Sequence, residues 1–387
     1  MTPSEKFVSE LCEKSFLPFW SFASPLGKKN KELCDVLVVC ENTVIIISIK
    51  DIKVSEHPDE NIQYERWQKK AIEDSIDQIY GAERYLKTVN EITLSDKITK
   101  IKLPEFSKRE IFRIAVAFGK KDNYPLDNGN FGNGFVHVFD EQSTFTVLKE
   151  LDTITDFVAY LKAKEDFLAN KLVSVPREVD FLALYLSTSL KFDFDPDSVL
   201  LDDGMWEEYL KTDEYAYWQK ELPQSFIWDE IVSHLHKIHI VDRGNTEMLS
   251  DLETATRILT IESRMNRIEL GMIFRDAIKK KLRGRIIKPF NGSDHSYVIM
   301  PLSSKNWDNK EKELELRCLI SRKENPSARK VIGISMGEDP EKKLLFDIFY
   351  LDIENLDDQT LRKIEHAKQE LGYFTNTTTT RSKNMRN

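Results

Sequence analysis

Lys31-Glu-Leu-Cys-Asp35-Val-Leu-Val-Val39 and Val44-Ile-Ile-Ile-Ser48-Ile-Lys50-Asp51, separated by Cys40-Glu-Asn-Thr43, decide how this chain is read. The second run is continuous and β-branched, the mark of a strand buried on both faces. The first predicts a strand over Leu33–Val39, and Glu41-Asn42-Thr43 predicts the turn between them. The pair is therefore expected to form a hairpin at the centre of a sheet. Side chains alternate along a strand, so Ile46, Ser48 and Lys50 share a face. A buried strand that ends in lysine needs a partner for the charge, because an unpaired buried ammonium is costly. Asp35, on the neighbouring strand, is the expected partner.

Working outward, Thr2-Pro3-Ser4-Glu5 predicts a capping box opening a helix, with Phe7, Val8, Leu11, Cys12 and Ser15 on one side. A long helical segment is expected over 66–90, where Trp67, Ala71, Ser75, Ala82, Tyr85 and Val89 share a face. Strands are expected over Ile111–Phe118 and Phe135–Phe139, separated by the Gly/Asn-rich 127–134 loop, and a helix over Thr153–Asn170. Such an order gives an α/β fold, a mixed sheet flanked by helices.

An acidic residue on one strand and a lysine ending the next suit phosphodiester hydrolysis. A divalent metal held by carboxylates polarises phosphate, and a lysine offsets charge in the transition state. Magnesium takes one or two carboxylates and fills its shell with waters and phosphate oxygens.

On these residues, about 1–172 resembles the PD-(D/E)xK, or restriction-endonuclease-like, nuclease superfamily. Cys34 stands where the family pattern has proline, and Ser48 where it has Asp or Glu. Some members carry S-x-K and recruit a glutamate from a following helix. Glu60, Glu65 and Glu73 are candidates here, with Glu65 favoured. The resemblance implies that Asp35 binds Mg2+ (or Mn2+), that Glu10 on the first helix helps, and that Lys50 orients the attacking water. Ser48 would hydrogen-bond near the metal. Glu5, already explained as the capping-box residue, and Glu32 are alternatives to Glu10. Gln78, at the margin of the 66–90 stripe, matches a glutamine that several such families place near the metal or phosphate. The implied function is metal-dependent hydrolysis of nucleic acid, DNA in preference to RNA. A nuclease without a motor also resembles effectors of bacterial antiviral or mobile-element systems. The alternatives are a degenerate core kept as a nucleic-acid-binding or assembly module, and a ribonuclease toxin. Nucleases of this fold often dimerise, which leaves a homodimer open.

The remainder is expected as an α+β recognition or regulatory domain over 173–374, a surface for nucleic acid or a protein partner, with a disordered tail over 375–387. Within it, 178–290 reads as mainly helical with Trp206, Trp218 and Trp228 as anchors. The runs 296–302, 313–321, 329–336 and 343–351 read as a meander, and Leu361–Leu371 as a final helix. Lys279, Lys280, Lys281, Arg283, Arg285 and Lys288 form the most basic stretch, after a helix carrying Arg257, Arg264, Arg267 and Arg275. It reads equally as a phosphate-contacting surface or as a solvated helix end. His234, His236 and His239 lack a matching set of Cys or carboxylates, which speaks against a metal site.

The formal net charge of −9 argues against a protein that coats nucleic acid by bulk charge, but not against a nuclease. With 31% charged and 41% hydrophobic residues the composition is that of a soluble globular protein. The polar N-terminus and the lack of an apolar run of about 18 residues point to a cytoplasmic protein with no membrane segment. The cysteines at 12, 34, 40 and 318 form no C-x-x-C pair and read as free buried thiols. No phosphate-binding glycine loop and no G-x-S-x-G elbow occur, so neither a nucleotide-driven motor nor a Ser/His/Asp arrangement is supported.

Overall fold

The computed structural model describes residues 1–17, 19–174, 177–192, 198–241, 246–290, 292–302, 309–338 and 344–375. It divides into two compact units, Met1–Lys220 and Glu221–Asn387.

The first unit opens with α1 (Pro3–Phe16), whose capping box forms as the sequence predicts: Thr2 Oγ1 accepts from Glu5 N–H and Glu5 accepts from Thr2 N–H. There follow β1 (Ser21–Ala23), β2 (Val36–Cys40), β3 (Thr43–Asp51), α2 (Glu60–Gln68), a π-helical turn over Lys69–Glu73 and α3 (Asp74–Leu86). Then come the short strands β4 (Glu91–Thr93) and β5 (Lys100–Lys102), β6 (Glu110–Phe118), β7 (Gly129–Asn130) and β8 (Phe135–Phe139). The unit closes with α4 (Glu141–Glu150), α5 (Ile154–Asn170), β9 (Leu172–Ser174), α6 (Glu178–Ser187), β10 (Ser198–Leu200), α7 (Met205–Tyr209) and α8 (Asp213–Glu221), the last reaching the next unit's first residue.

The main sheet has the order β1-β2-β3-β6-β8-β7. β2 and β3 form the expected antiparallel hairpin, with Val36 opposite Ile47, while β3 and β6 run parallel, with Lys50 opposite Ala117. Parallel neighbours need a crossover, and α2–α3 supplies it. α3 packs on β3 and β6, while α1 and α4 lie against the sheet elsewhere, so β3 is buried along nearly its whole length. Val39, Val44, Ile46, Ala115 and Ala117 join Trp67, Ala71, Ile72, Ile79 and Leu86 in the core beneath α2–α3.

The predicted helix over 66–90 is two helices joined by a π turn. One extra residue in that turn rotates everything after it. Trp67 ahead of the turn and Ile79, Ala82 and Leu86 after it then face the same core. Arg109 holds the end of α3: its guanidinium donates to Leu86 O (2.6 Å), Val89 O (3.0 Å) and Pro104 O (2.7 Å), supplying donors to chain that leaves the helix.

The units do not divide near 172. α6 is buried along most of its length, and its Glu178 binds the buried Lys164 and Tyr160 of α5, Tyr160 Oη donating at 2.6 Å. An apolar helix completing a neighbour's charge pair belongs with that neighbour.

The second unit contains α9 (Phe226–Val241), α10 (Thr246–Thr260), α11 (Arg264–Lys279), β11 (Arg285–Ile287), β12 (His295–Pro301), α12 (Lys310–Glu324), β13 (Lys330–Glu338), β14 (Leu344–Asp352) and α13 (Asp358–Gln369). Its sheet runs β11-β12-β13-β14. The expected strand over 313–321 is instead helix α12. β12 and β13 are parallel, so a helical crossover replaces a meander turn. Leu314 and Cys318, one turn apart, lie against Gly333 of β13, where a Cβ would meet Cys318 Sγ at 2.6 Å. Trp206 and Trp228 are buried as expected, while Trp218 is only half-buried. The four cysteines are free and buried. The tail beyond 375 lies outside the described residues. Among the described residues no helix is long and apolar enough to cross a membrane.

Candidate active site

The carboxyl end of β3 lies between β2, β6 and the first two turns of α3, and four of the anticipated residues meet there. Ser48 and Lys50 project from the same face of β3 and reach Gln78 on α3. Ser48 Oγ donates to Gln78 Oε1 at 2.9 Å, and Lys50 Nζ donates to the same oxygen at 2.8 Å. An ammonium only donates, so the atom facing Lys50 must be the amide oxygen. The amide nitrogen of Gln78 is then left to donate away from the strand. The π turn precedes Gln78 by one turn, and its rotation of α3 contributes to aiming this side chain at β3.

Asp35 sits just before β2. Extending the hairpin register by one residue sets it opposite Ser48. Its side chain is 7% exposed, and Oδ2 accepts the Ile49 N–H at 2.5 Å. Burial pushes its carboxyl up to about 6. The Ile49 N–H and the Lys50 charge hold it down, and the charges of Glu5 and Glu32 push it further up. The expected Asp35–Lys50 ion pair is not made within 4 Å; Lys50 acts on Asp35 through space while its hydrogen bond goes to Gln78. Asp35 is thus a desolvated carboxylate whose charged form is supported by the Ile49 N–H and the Lys50 charge and opposed by burial and by the charges of Glu5 and Glu32.

The remaining anticipated carboxylates are not gathered here. Glu10 lies on the solvent side of α1, 65% exposed and paired with Lys6 at 3.7 Å. Glu5, five residues earlier, is the α1 carboxylate whose charge reaches Asp35. The capping box accounts for its helix-terminal place and also leaves it near the end of β3, where neighbouring Ser4 Oγ donates to Asp51 at 2.5 Å. Glu65 and Glu73 are exposed, and Glu60 pairs with Lys121 at 3.7 Å. In the sequence, capping alone is a sufficient explanation for Glu5, and it hides the nearness of its charge to Asp35.

A divalent ion would fit this donor set within limits. Among the described residues no group of three or more His, Cys, Asp and Glu side chains is placed to hold a metal. Asp35, with Glu5 or Glu32 nearby, matches magnesium's use of one or two carboxylates with waters. Beyond β3 and β6 a concavity of about 570 Å³ opens, lined by Val54, Ser55, Glu56, His57, Pro58, Gln63 and Lys121. Clefts outside the carboxyl ends of parallel strands are where open α/β sheets bind ligands.

The basic segment of the second unit is less free than its sequence suggests. Lys280 and Arg285 pair with Asp276, both at 2.9 Å. Arg264 and Arg267 are buried and hold Asp229 at 2.6 and 2.8 Å, and Arg257 pairs with Glu253 at 2.7 Å. Arg264 and Arg267 are thus engaged within the fold, while Arg257 is half-buried in a pair along its own helix. Lys279, Lys281, Arg283 and Lys288 are exposed. His234 is exposed on helix α9, where residues two apart face different sides, while the side chains of His236 and His239 lie outside the described residues.

No family model matches the chain, and no curated protein or solved structure is significantly similar to it.

Proposed function

We propose that the first unit is a metal-dependent nuclease of the restriction-endonuclease-like type, hydrolysing phosphodiester bonds of nucleic acid, with DNA the favoured substrate. The observation that carries this reading is the convergence of Ser48 and Lys50 on one oxygen of Gln78, beside the buried carboxylate of Asp35. Four residues from three separate segments, Asp35, the Ser48–Lys50 strand end and Gln78, are needed to build that arrangement. A simple structural ion pair would need only two, and would pair Lys50 with Asp35 directly.

Asp35, with Glu5, would hold Mg2+ or Mn2+, which when bound supplies Lewis-acid polarisation of a phosphate oxygen. Lys50 Nζ, bonded to Gln78, would orient the attacking water and offset negative charge in the transition state. The free amide N–H groups of Gln78 offer donors to phosphate or water. Ser48 fixes Gln78 from below and supplies no charge. A role in antiviral or mobile-element defence extends this reading by analogy alone.

Ser48 also favours a second reading. The strand position where the superfamily carries a carboxylate holds a fully buried hydroxyl already bonded to Gln78. A core dormant as a catalyst and kept for binding nucleic acid would tolerate this. Incubation with circular, linear and single-stranded DNA and with RNA, in magnesium, manganese or chelator, separates the readings. Metal-dependent cleavage of DNA supports the first, and cleavage of RNA alone makes the protein a ribonuclease. Intact substrates throughout, with a folded protein, leave the binding module.

A further inference from the structure

The loop that leads into Asp35 is rich in lysine although the chain is acidic. The loop between β1 and β2 carries Lys28, Lys29 and Lys31, all exposed. It is tied at its base to the site residue itself: Ser24 N–H donates to Asp35 O at 2.9 Å, and Leu33 N–H to Pro25 O at 2.8 Å. Lys31 lies four residues from Asp35, at most roughly 14 Å of extended chain.

A second basic element leans on this loop. The β4–β5 ribbon pairs Glu91 with Lys102 and Thr93 with Lys100, and Leu26 N–H donates to Thr93 O at 2.8 Å. The ribbon's turn is preformed, since Asp96 Oδ1 accepts from Ile98 N–H (2.9 Å) and Thr99 N–H (2.8 Å). The Arg109 clamp fixes the chain on either side of the ribbon. Lys100 pairs with Glu91. Among the described residues no carboxylate comes within 4 Å of Lys28, Lys29, Lys31, Lys97 or Lys102. Glu32 is the acidic exception on the loop, and its charge is felt by Asp35 rather than by a lysine partner.

Unpaired lysines on two hydrogen-bonded segments, one of them rooted at a buried carboxylate, make a surface for a polyanion. We propose that the Lys28–Lys31 loop and the β4–β5 ribbon form a phosphate-docking rim that seats the sugar-phosphate backbone of a nucleic-acid duplex on its way to Asp35. Only the destination of that backbone rests on the nuclease reading; the rim's affinity does not. Lysine contacts to phosphate position without reading sequence, so binding is sequence-independent and falls steeply with salt.

The test uses the full chain carrying Asp35→Asn, in chelator, so that binding is measured without cleavage. Fluorescence anisotropy with labelled duplex DNA, and with duplex RNA in parallel, is followed across salt from about 50 to about 200 mM. Replacing Lys28, Lys29, Lys31, Lys97 and Lys102 together by alanine should weaken binding at least tenfold at the lowest salt. It should also flatten the logarithmic salt slope by about 0.9 for each B-DNA phosphate that the variant no longer neutralises. Replacing Lys279, Lys280 and Lys281 by alanine, checked alongside, should have a distinctly smaller effect per charge removed. The inference is overturned if the parent binds neither duplex, if the rim variant binds as the parent does, or if affinity drops equally per charge in both variants. Absence of cleavage by the wild-type chain would sink the nuclease reading while leaving this binding result intact.

Discussion

Asp35 is the residue at which the proposed role opposes stability. Its carboxyl is pushed from 3.8 to about 6, chiefly by burial. A carboxyl with a folded value above its unfolded one favours folding in the protonated form. The penalty is absent below the unfolded value, grows as pH rises from about 4 to about 6, and is full above that. Asp35→Asn keeps an oxygen for the Ile49 N–H and removes the charge. It should stabilise the protein at pH 7 by up to about 3 kcal/mol, with the gain vanishing near pH 4. Urea unfolding of both proteins at the two pH values measures this; equal stability at pH 7 would show that the desolvation is not felt. A cation bound at Asp35 needs the carboxylate, so activity in magnesium should decline as pH falls through 6.

The same scale shows what could be read from the residues alone. Asp35, Ser48 and Lys50 were legible because strand periodicity fixes which side chains share a face. Gln78 was legible only as a polar residue at a stripe margin. That it takes two donors at once depends on the distance from α3 to β3, which no local pattern encodes. Glu10 was misplaced for the converse reason. It borders the apolar stripe of α1, yet the helix is rotated so that Ser9 is buried and Glu10 faces solvent.

Among the elements, the junction of α2 and α3 is the least expected and the most exposed to test. The segment reads as one helix, and a π turn is invisible to a 3.6-residue period because the stripe survives on both sides of it. Deleting Lys70, an exposed residue within the turn, should convert it to continuous α-helix and rotate Gln78 by about 100° relative to Trp67. Either Trp67 leaves the core or Gln78 leaves Lys50. The deletion should therefore lower the melting temperature by several degrees and abolish cleavage even where the protein folds. A deletion variant with unaltered cleavage would show that the turn does not aim Gln78. The 313–321 segment failed differently. Alternating Leu-Glu-Leu-Arg suits a strand, but the parallel pairing of β12 and β13 requires a crossover, and that constraint lies outside the segment.

For the whole molecule, the division into units was legible in kind but not in place. Composition changes near 172, where α5 ends, yet the first compact unit extends to Lys220. The buried Lys164–Glu178 pair explains the difference, since both partners lie in the first unit and a boundary at 172 would separate them. A fragment ending at 172 loses Glu178 together with the buried helix α6 and uncovers Lys164 and the apolar side of α5 that α6 covers. It should be insoluble or molten, whereas a fragment of residues 1–220 should show a cooperative unfolding transition. Circular dichroism on the two fragments decides the matter, and a cooperatively folded shorter fragment would return the boundary to 172.

The most direct measurement is turnover of one DNA substrate in magnesium by the wild-type protein, Asp35→Asn and Lys50→Met, each verified as folded. A nuclease centred on these side chains predicts cleavage that stops in chelator and falls at least about a thousandfold in both variants, as expected when transition-state stabilisation is lost. Cleavage that survives undiminished in either variant would contradict the site described here.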